Sequence, residues 1–366
     1  MIDDHVHPFP LQFAPFTTGD LGLEVPGGEV AAAARRRRLA PGRLYVHLME
    51  TRLGALLGVN GADVAAARDE RAAADWPAWL RTLFDDAGIA GMVLDEALHP
   101  DTPAVPAAEY SALAGRPVWK MARLDPLVDA LVAEGASASE VLTRVERHMQ
   151  QAAAEGAVCF KTVLAYRTGL AVDPDADLRA AEASLRTDLP VRRKGKALRD
   201  LVFRRMLGIA AELGLPVQVH TGFGDSDLRL AESDPLLLEE VLRTPEGTAA
   251  TVVLIHGSFP WHEQAAHLAS VRPHVWVELS LSNLFAPLGT ADRLLQLLDV
   301  APRGRLLLGS DGHGLPETQW FGCRVLADAW TTVAERLTDA GAHPGWVADT
   351  RHALFEGNAR EVYRLG

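Results

Sequence analysis

The feature that most constrains this fold is a regular alternation of short apolar runs with longer helix-forming segments. The runs are bunched apolar residues, as strands buried on both faces should be. Eight of them predict strands over residues 2–7, 89–97, 118–124, 157–165, 216–221, 251–256, 275–281 and 305–310. Strand–helix alternation of this kind predicts a parallel sheet that closes into a (β/α)₈ barrel, the TIM-barrel class of α/β fold.

The segments between the runs are rich in Ala, Leu, Arg and Glu, which favour helices. Helices are predicted over residues 139–154, 197–213, 236–243, 261–271 and 291–298, with Gly156, Gly214 and Gly304 placed where such helices should end. The chain has 366 residues, of which 48% are hydrophobic, enough for one large barrel core. We therefore expect a single domain over residues 1–366.

Two connections are too long for plain strand–helix units. Residues 8–88 carry apolar periodicity around 44–57 and 76–84, which predicts a helical insertion after strand one. Residues 166–196 form a second insertion after strand four. Both leave from carboxyl ends of strands, where barrel active sites lie, so both are candidate lids. The four arginines at positions 35–38 are interpreted as a solvated helix face.

Composition excludes several classes of function. The chain has 36 basic and 48 acidic residues, a net charge of −12, which argues against a general nucleic-acid-binding protein. Cys159 and Cys323 lack zinc-ribbon or CxxC spacing and are expected to be reduced and buried. No apolar stretch is long enough to cross a membrane, and no secretory signal is visible. We expect a cytoplasmic protein without a membrane partner, a dimer or larger homo-oligomer that binds a small-molecule substrate.

Polar residues stand where four of the apolar runs end. His5 and His7 end the first predicted strand, His220 the fifth and His256 the sixth, and Asp311 follows the eighth. Side chains two residues apart on a strand point the same way, so His5 and His7 can grip one ion. Imidazole and carboxylate ligands suit Zn²⁺, with Mn²⁺ as the alternative. The pattern predicts a divalent metal site, of one ion or two, at this end of the barrel.

The same pattern suggests a hydrolytic reaction. A metal here would lower the pKa of a water toward about 7 and polarise a carbonyl. Asp311 could contact the metal, accept the proton of the water and pass it to the leaving group. Asp311 and His256 are the expected catalytic residues, with His256 stabilising an oxyanion if it is not a ligand.

Lys161 lies inside the fourth apolar run, where an unpaired ammonium group is costly. One interpretation is that its amine reaches the carboxyl-terminal opening of the barrel and binds an anionic substrate. The other is a carbamylated lysine that bridges two metals. Residues near the same edge are expected to bind the substrate, with a guanidinium gripping a carboxylate: Arg123, Tyr166, Arg167 and Arg229.

These strand-end residues resemble the amidohydrolase superfamily, in its amidohydrolase-related, metal-dependent hydrolase branch. A closer resemblance is to the hydrolase-like domain fused to glutamine synthetase in nodulin-type fusion proteins. It is carried by three strings, over residues 160–170, 220–225 and 309–317. The resemblance implies a barrel with His5, His7, His220 and Asp311 around the main metal. In two-metal members, His256 and Lys161 would serve the second metal.

The resemblance implies hydrolysis of a C–N bond in a small, carboxylate-bearing amide, with a γ-glutamyl amide suggested by the synthetase context. Decarboxylases and uronate isomerases share the barrel and a similar metal set. Decarboxylation would favour an aromatic pocket, for which the sequence offers Trp119, Phe223, Phe259, Trp261, Phe285 and Trp320. A third alternative is a catalytically silent partner of a glutamine-synthetase-like enzyme.

Overall fold

The computed structural model describes residues 1–19, 38–96 and 106–366 and contains one parallel sheet of eight strands in sequential order. The strands are β1 (Ile2–Val6), β2 (Gly91–Asp95), β3 (Val118–Arg123), β4 (Ala157–Thr162), β5 (Val217–His220), β6 (Val252–Ile255), β7 (Val275–Leu279) and β8 (Leu306–Leu308). Each pairs with the next along the chain. Two backbone hydrogen bonds join the residues after β8 to β1, from Asp311 N to His5 O (2.8 Å) and from His7 N to Gly312 O (2.9 Å). The predicted (β/α)₈ barrel is confirmed.

Every predicted run contains one of these strands, although the strands are shorter than the runs. The fourth run extends to residue 165, for example, but β4 ends at Thr162 because residues Leu164–Tyr166 turn as a 3₁₀ helix. In the second run, residue 97 lies outside the part of the chain that the structure describes. The shortening leaves His7 and His256 just beyond their strands, and Asp311 follows β8 as predicted, at the carboxyl edge of the sheet.

Helices cover the outside of the barrel and build the insertions. In the described residues they span Leu44–Leu57, Asp63–Ala74, Trp76–Asp86, Ala107–Ala114, Asp125–Glu134, Ala138–Ala154, Leu178–Ser184, Lys196–Leu213, Pro245–Ala249, His262–Val271, Ser282–Phe285, Thr290–Val300, Pro316–Asp339, Pro344–His352 and Asn358–Val362. None of them is long and apolar enough to cross a membrane.

The helix Ala138–Ala154 shows how the sequence forms these elements. The Ser137 side chain accepts a hydrogen bond from Glu140 N and caps the helix start. Val141, Val145 and Met149 recur every four residues and are fully buried against the barrel. The helix therefore buries one apolar stripe and leaves its charged face in solvent.

Two details of the helix prediction are wrong. Residues 236–243 do not form a helix, because the chain makes two separate 3₁₀ turns there, Pro235–Leu238 and Val241–Arg243. Gly304 does not end a helix either. The helix Thr290–Val300 stops at Ala301, which is extended because Pro302 follows and disfavours the helical conformation before it.

The first insertion is helical where the structure describes it, as predicted. Residues 20–37, with Arg35, Arg36 and Arg37, lie outside the described part of the chain. Arg68 joins this insertion to the barrel through a buried ion pair with Glu317, with Arg68 Nε 2.7 Å from Glu317 Oε1. Trp79 Nε1 donates to the same oxygen at 2.8 Å. The insertion is thereby held against the first turn of the helix Pro316–Asp339.

Apolar side chains of the strands fill one part of the barrel together with the C-terminal residues. Val93, Met121 and Val253 belong to a buried cluster that also contains Val362 and Tyr363. A second, larger cluster lies between the strands and the surrounding helices. Because the strands are buried on both faces, buried polar side chains stand out at the carboxyl edge.

Candidate metal centre

His5, His7 and Asp311 form a buried cluster at the carboxyl edge of the barrel. Nε2 of His5 and Nε2 of His7 each lie 3.2 Å from Oδ1 of Asp311. The ligand atoms of the three side chains all lie within 4.8 Å of one another. β1 supplies His5, the residue after β1 is His7, and the turn after β8 supplies the carboxylate.

The backbone around Asp311 is shaped to place its carboxylate. Asp311 has a φ of +54°, in the left-handed region that non-glycine residues rarely adopt. Its N–H donates to His5 O, and Ser310 N and Oγ donate to the buried Asp3 carboxylate at 2.7 and 2.6 Å. A strained residue held this firmly is typical of functional sites.

The residues of the cluster fit a divalent cation. Asp311 Oδ1 is buried and has no hydrogen-bond partner among the described residues, so its contacts with Nε2 of His5 and of His7 are not oriented hydrogen bonds. His7 Nδ1 is also buried without such a partner. Unpaired buried polar atoms are costly unless something binds them. Burial lowers the pKa of His5, and it lowers that of His7 to about 3, so both rings are neutral and able to act as ligands.

Lys161 reaches this cluster from β4. Its Nζ lies 2.7 Å from Nε2 of His5 and 3.7 Å from Oδ2 of Asp95, and the side chain is almost fully buried. Burial, together with the nearby Arg123, lowers the pKa of Lys161 to about 8. The amine is thus beside the cluster, as both sequence interpretations of Lys161 require.

Asp95 is a site residue that the sequence reasoning missed. It ends β2 and accepts a 2.8 Å hydrogen bond from Arg123 Nε, while its Oδ2 lies 3.9 Å from His7 Nδ1. Burial opposes the charge, but Arg123 and His7 outweigh it and lower the pKa of Asp95 to about 2. The signal was present, because Met92-Val93-Leu94-Asp95 is one more apolar run that ends in a ligand-type residue.

His220 and His256 are adjacent but lie outside the three-residue cluster. Nδ1 of His220 is 2.9 Å from Nε2 of His256, whose Nδ1 is 2.8 Å from Ser280 Oγ. Both ring nitrogens of His256 are therefore engaged. Nε2 of His220 is buried without a partner among the described residues, so it has a lone pair or proton still to be satisfied. The ligand roles of both histidines stay predictions.

Tyr166 packs against His220, with the ring centroids 4.7 Å apart in an edge-to-face arrangement. Its hydroxyl accepts a 3.0 Å hydrogen bond from Asp225 N. Gly224 permits this approach, since a Cβ there would lie 1.8 Å from the Tyr166 hydroxyl and 3.1 Å from His220 Nε2. The tyrosine expected at the substrate therefore does lie beside a site histidine.

The three arginines expected to bind substrate all have carboxylate partners. Arg123 pairs with Asp95, inside the site. Arg167 is buried and pairs with Asp129 (2.8 Å) on the helix Asp125–Glu134. Arg229 pairs with Glu232 at 3.0 Å, and 66% of its side chain is exposed. Of the three arginines, only Arg123 contacts Asp95, the carboxylate that lies beside His7 and Lys161.

The aromatic residues proposed for a decarboxylase pocket are scattered. Trp119 packs at Gly91, the first residue of β2 and thus at the opposite end of the strand from Asp95. Trp320 is buried in the helix Pro316–Asp339 and donates to Asp86 at 2.7 Å. Phe223 and Phe259 do contact each other, with ring centroids 5.1 Å apart. These contacts do not join Trp119 or Trp320 to the Phe223–Phe259 pair.

Comparison with known proteins agrees with this geometry. The profile of a family described as amidohydrolase matches residues 2–365. The chain belongs to the amidohydrolase family. Within the curated proteins, the chain is 29% identical over 368 residues to protein fluG of Emericella nidulans, covering 90% of this chain and 41% of that protein. The chain thus spans about two fifths of the length of this relative.

Solved structures share the barrel of this member of the amidohydrolase family. A protein from Lactobacillus casei assigned as a metal-dependent hydrolase superposes with a TM-score of 0.82 at 22% identity, over 99% of this chain and 95% of that chain. Glucuronate isomerase from Caulobacter crescentus superposes with a TM-score of 0.67 at 15% identity, over 99% and 91% of the two chains. Likeness at such identities establishes the fold and leaves the reaction to the site.

Proposed function

We propose that this protein is a metal-dependent hydrolase that cleaves the C–N bond of a small, carboxylate-bearing amide. The observation that carries the proposal is the buried cluster of His5, His7 and Asp311, with Asp311 Oδ1 left without an oriented hydrogen bond among the described residues. A cluster of this composition, at the carboxyl edge of a barrel, is where such enzymes perform chemistry.

His5, His7 and Asp311 would hold the cation, and His220 would add its unpartnered Nε2. Two or three imidazoles with one carboxylate suit Zn²⁺, with Mn²⁺ as the alternative. When bound, such an ion supplies Lewis-acid chemistry, because it lowers the pKa of a water and polarises a carbonyl.

Asp311 would move the proton of the reaction. Its Oδ1 lies between Nε2 of His5 and Nε2 of His7 and would contact the cation, so the second carboxylate oxygen would be the one that takes the proton. A carboxylate placed in this way can accept a proton from the attacking water and return it to the amine that leaves. His256 cannot stabilise an oxyanion directly in this arrangement, because both its nitrogens are engaged.

Cationic groups beside the cluster would hold the acid end of the substrate. Lys161 and Arg123 flank Asp95, so two cations share one carboxylate at this edge of the site. The hydroxyl of Tyr166, close to His220, adds a polar contact on the other side. Together these groups would orient a substrate that carries a carboxylate.

The amide class is proposed on the resemblance to the domain fused to glutamine synthetase, which the 29% identity to protein fluG supports. A γ-glutamyl amide has both features that the site would need, a carboxylate and a scissile C–N bond.

The test combines metal content with product analysis. Purified wild-type protein, reconstituted with Zn²⁺ or Mn²⁺, is compared with the double variant His5→Ala/His7→Ala and with His267→Ala, an exposed control. We expect a stoichiometric metal that only the double variant loses, and release of ammonia or amine from γ-glutamyl amides. Release of carbon dioxide from carboxylic acids would refute hydrolysis. A wild type that binds neither metal would refute the metal centre and favour the silent partner.

A further inference from the structure

A row of hydrogen bonds runs from β7 to the unpartnered nitrogen of His220. Oε2 of Glu278 accepts from Ser280 Oγ at 2.7 Å. Ser280 Oγ lies 2.8 Å from His256 Nδ1, and His256 Nε2 lies 2.9 Å from His220 Nδ1. All four side chains are buried, so bulk water does not compete for these bonds.

The donor and acceptor of each bond follow from the carboxylate of Glu278, at the β7 end of the row. Ser280 has one hydroxyl proton, which it donates to Glu278, so its oxygen must accept from Nδ1–H of His256. A neutral imidazole that donates from Nδ1 accepts at Nε2, so His220 must donate from its own Nδ1. Nε2 of His220 then carries a lone pair and no proton.

The order does not depend on the charge of Glu278. Its Oε2 also accepts from the backbone N–H of His256 at 2.9 Å, so this oxygen is an acceptor for two donors. A proton on Glu278 would reside on Oε1, which has no partner among the described residues. Gly309 makes room for this carboxylate, since a Cβ there would lie 2.6 Å from Oε1.

We propose that Glu278 and Ser280 are positioning residues of the metal centre, which fix the Nδ1–H tautomers of His256 and His220 and thereby present the lone pair of His220 Nε2 as a ligand. The inference rests on the proposed metal-dependent function. In this arrangement His256 connects Ser280 to His220 through its two ring nitrogens. Partners behind ligand histidines usually fix the ring tautomer, and losing them typically weakens metal binding about 10- to 100-fold.

The first experiment measures tautomers directly. ¹⁵N-histidine-labelled full-length protein without added metal is studied by long-range ¹H–¹⁵N correlation, which distinguishes Nδ1–H from Nε2–H rings. We expect His220 and His256 to be Nδ1–H in wild type and in Ser280→Thr, which keeps the hydroxyl. Ser280→Ala should allow the Nε2–H form. The matched control is Ser282→Ala, which removes a buried hydroxyl that has no partner among the described residues.

The second experiment measures Zn²⁺ affinity of the same proteins by competition with a chelator. Ser280→Ala should bind Zn²⁺ about 10-fold more weakly or worse, while Ser280→Thr and Ser282→Ala stay near wild type. Glu278→Gln, whose amide oxygen can still accept, should also keep the tautomers. Unchanged tautomers and affinity in Ser280→Ala would overturn the inference. If wild type binds no Zn²⁺, the proposed function fails. The tautomers measured without metal still test whether Glu278 and Ser280 position the two histidines.

Discussion

Nζ of Lys161 lies 2.7 Å from Nε2 of His5, so a lysine amine and a predicted metal ligand share one buried contact. Asp95 lies on the other side of the amine, 3.7 Å from Nζ. Burial and Arg123 lower the pKa of this amine to about 8 and Asp95 opposes that shift, so the ammonium form still predominates at pH 7. A carbamate would instead place two negative groups together.

We therefore predict that Lys161 is unmodified and that the protein holds about one Zn²⁺ per chain. The measurements are metal content and ¹³C NMR after incubation with ¹³C-bicarbonate, with Lys161→Met as the control. Two metals per chain, together with a carbamate signal that the variant loses, would favour the bridging carbamate.

Gln218 should set the tautomer of His5. Its Nε2 donates to the backbone oxygen of Asp4 (3.0 Å) and to the Tyr363 hydroxyl (2.7 Å), so its Oε1 must accept from His5 Nδ1 at 2.7 Å. Gln218→Met removes this acceptor and should weaken Zn²⁺ binding about 10-fold or more. Tyr363→Phe leaves the bond to His5 in place and should cost less. Equal Zn²⁺ affinities for both variants and wild type would contradict this prediction.

Asp311→Asn should abolish hydrolysis and leave the barrel folded. The amide has the same shape as the carboxylate but cannot accept the proton of the water, a loss of about 10²- to 10⁴-fold in rate. The measurements are turnover of the amide identified by product analysis and the circular dichroism spectrum, with the surface variant Asp328→Asn as control. Turnover near wild type would show that another group carries the proton.

The ion pair of Arg68 and Glu317 should stabilise the first insertion. Both side chains are fully buried, and removing one partner of a buried pair costs about 3–5 kcal/mol. Arg68→Met should therefore lower the free energy of unfolding in urea by that amount. Arg336→Met breaks an exposed pair with Asp292 (2.6 Å) and should cost about 0–1 kcal/mol. A comparable loss of unfolding free energy in the two variants would contradict a stabilising role for the Arg68–Glu317 pair.

Gly224→Ala should displace the Tyr166 side chain from His220. The new methyl group would lie 1.8 Å from the Tyr166 hydroxyl, so the ring or the loop must move. We expect a destabilisation of about 1–3 kcal/mol and a raised KM, since Tyr166 is proposed to contact substrate. Gly208→Ala, where the nearest atom to a new Cβ would be 3.6 Å away, is the matched control. A KM unchanged by Gly224→Ala would argue against the role of Tyr166.

Much of the barrel could be predicted from local sequence. Each strand is a short apolar run, and the ligand-type residues lie at or near its carboxyl end, so local sequence predicts the metal-ligand role of His5, His7 and Asp311. Asp95 obeys the same rule and was missed because the second run was extended past it, to residue 97. Such signals are local, since burial on both faces and the strand end depend on adjacent residues.

Local sequence does not predict which distant side chains form ion pairs or hydrogen bonds with each other. Arg167 follows the strand edge as the hypothesis required, yet Asp129 draws it into a buried ion pair on a neighbouring helix. Glu278 and Ser280 carried no recognisable motif, and they matter only because the closed barrel places β7 beside the end of β6.

The sequence by itself determined the alternation, the barrel and the set of residues able to bind a metal, because these follow from periodicity and chain order. Only the tertiary structure decided which side chains are neutral, paired or left with an open lone pair. Those properties depend on burial and on partners up to hundreds of residues away, such as Gln218 for His5.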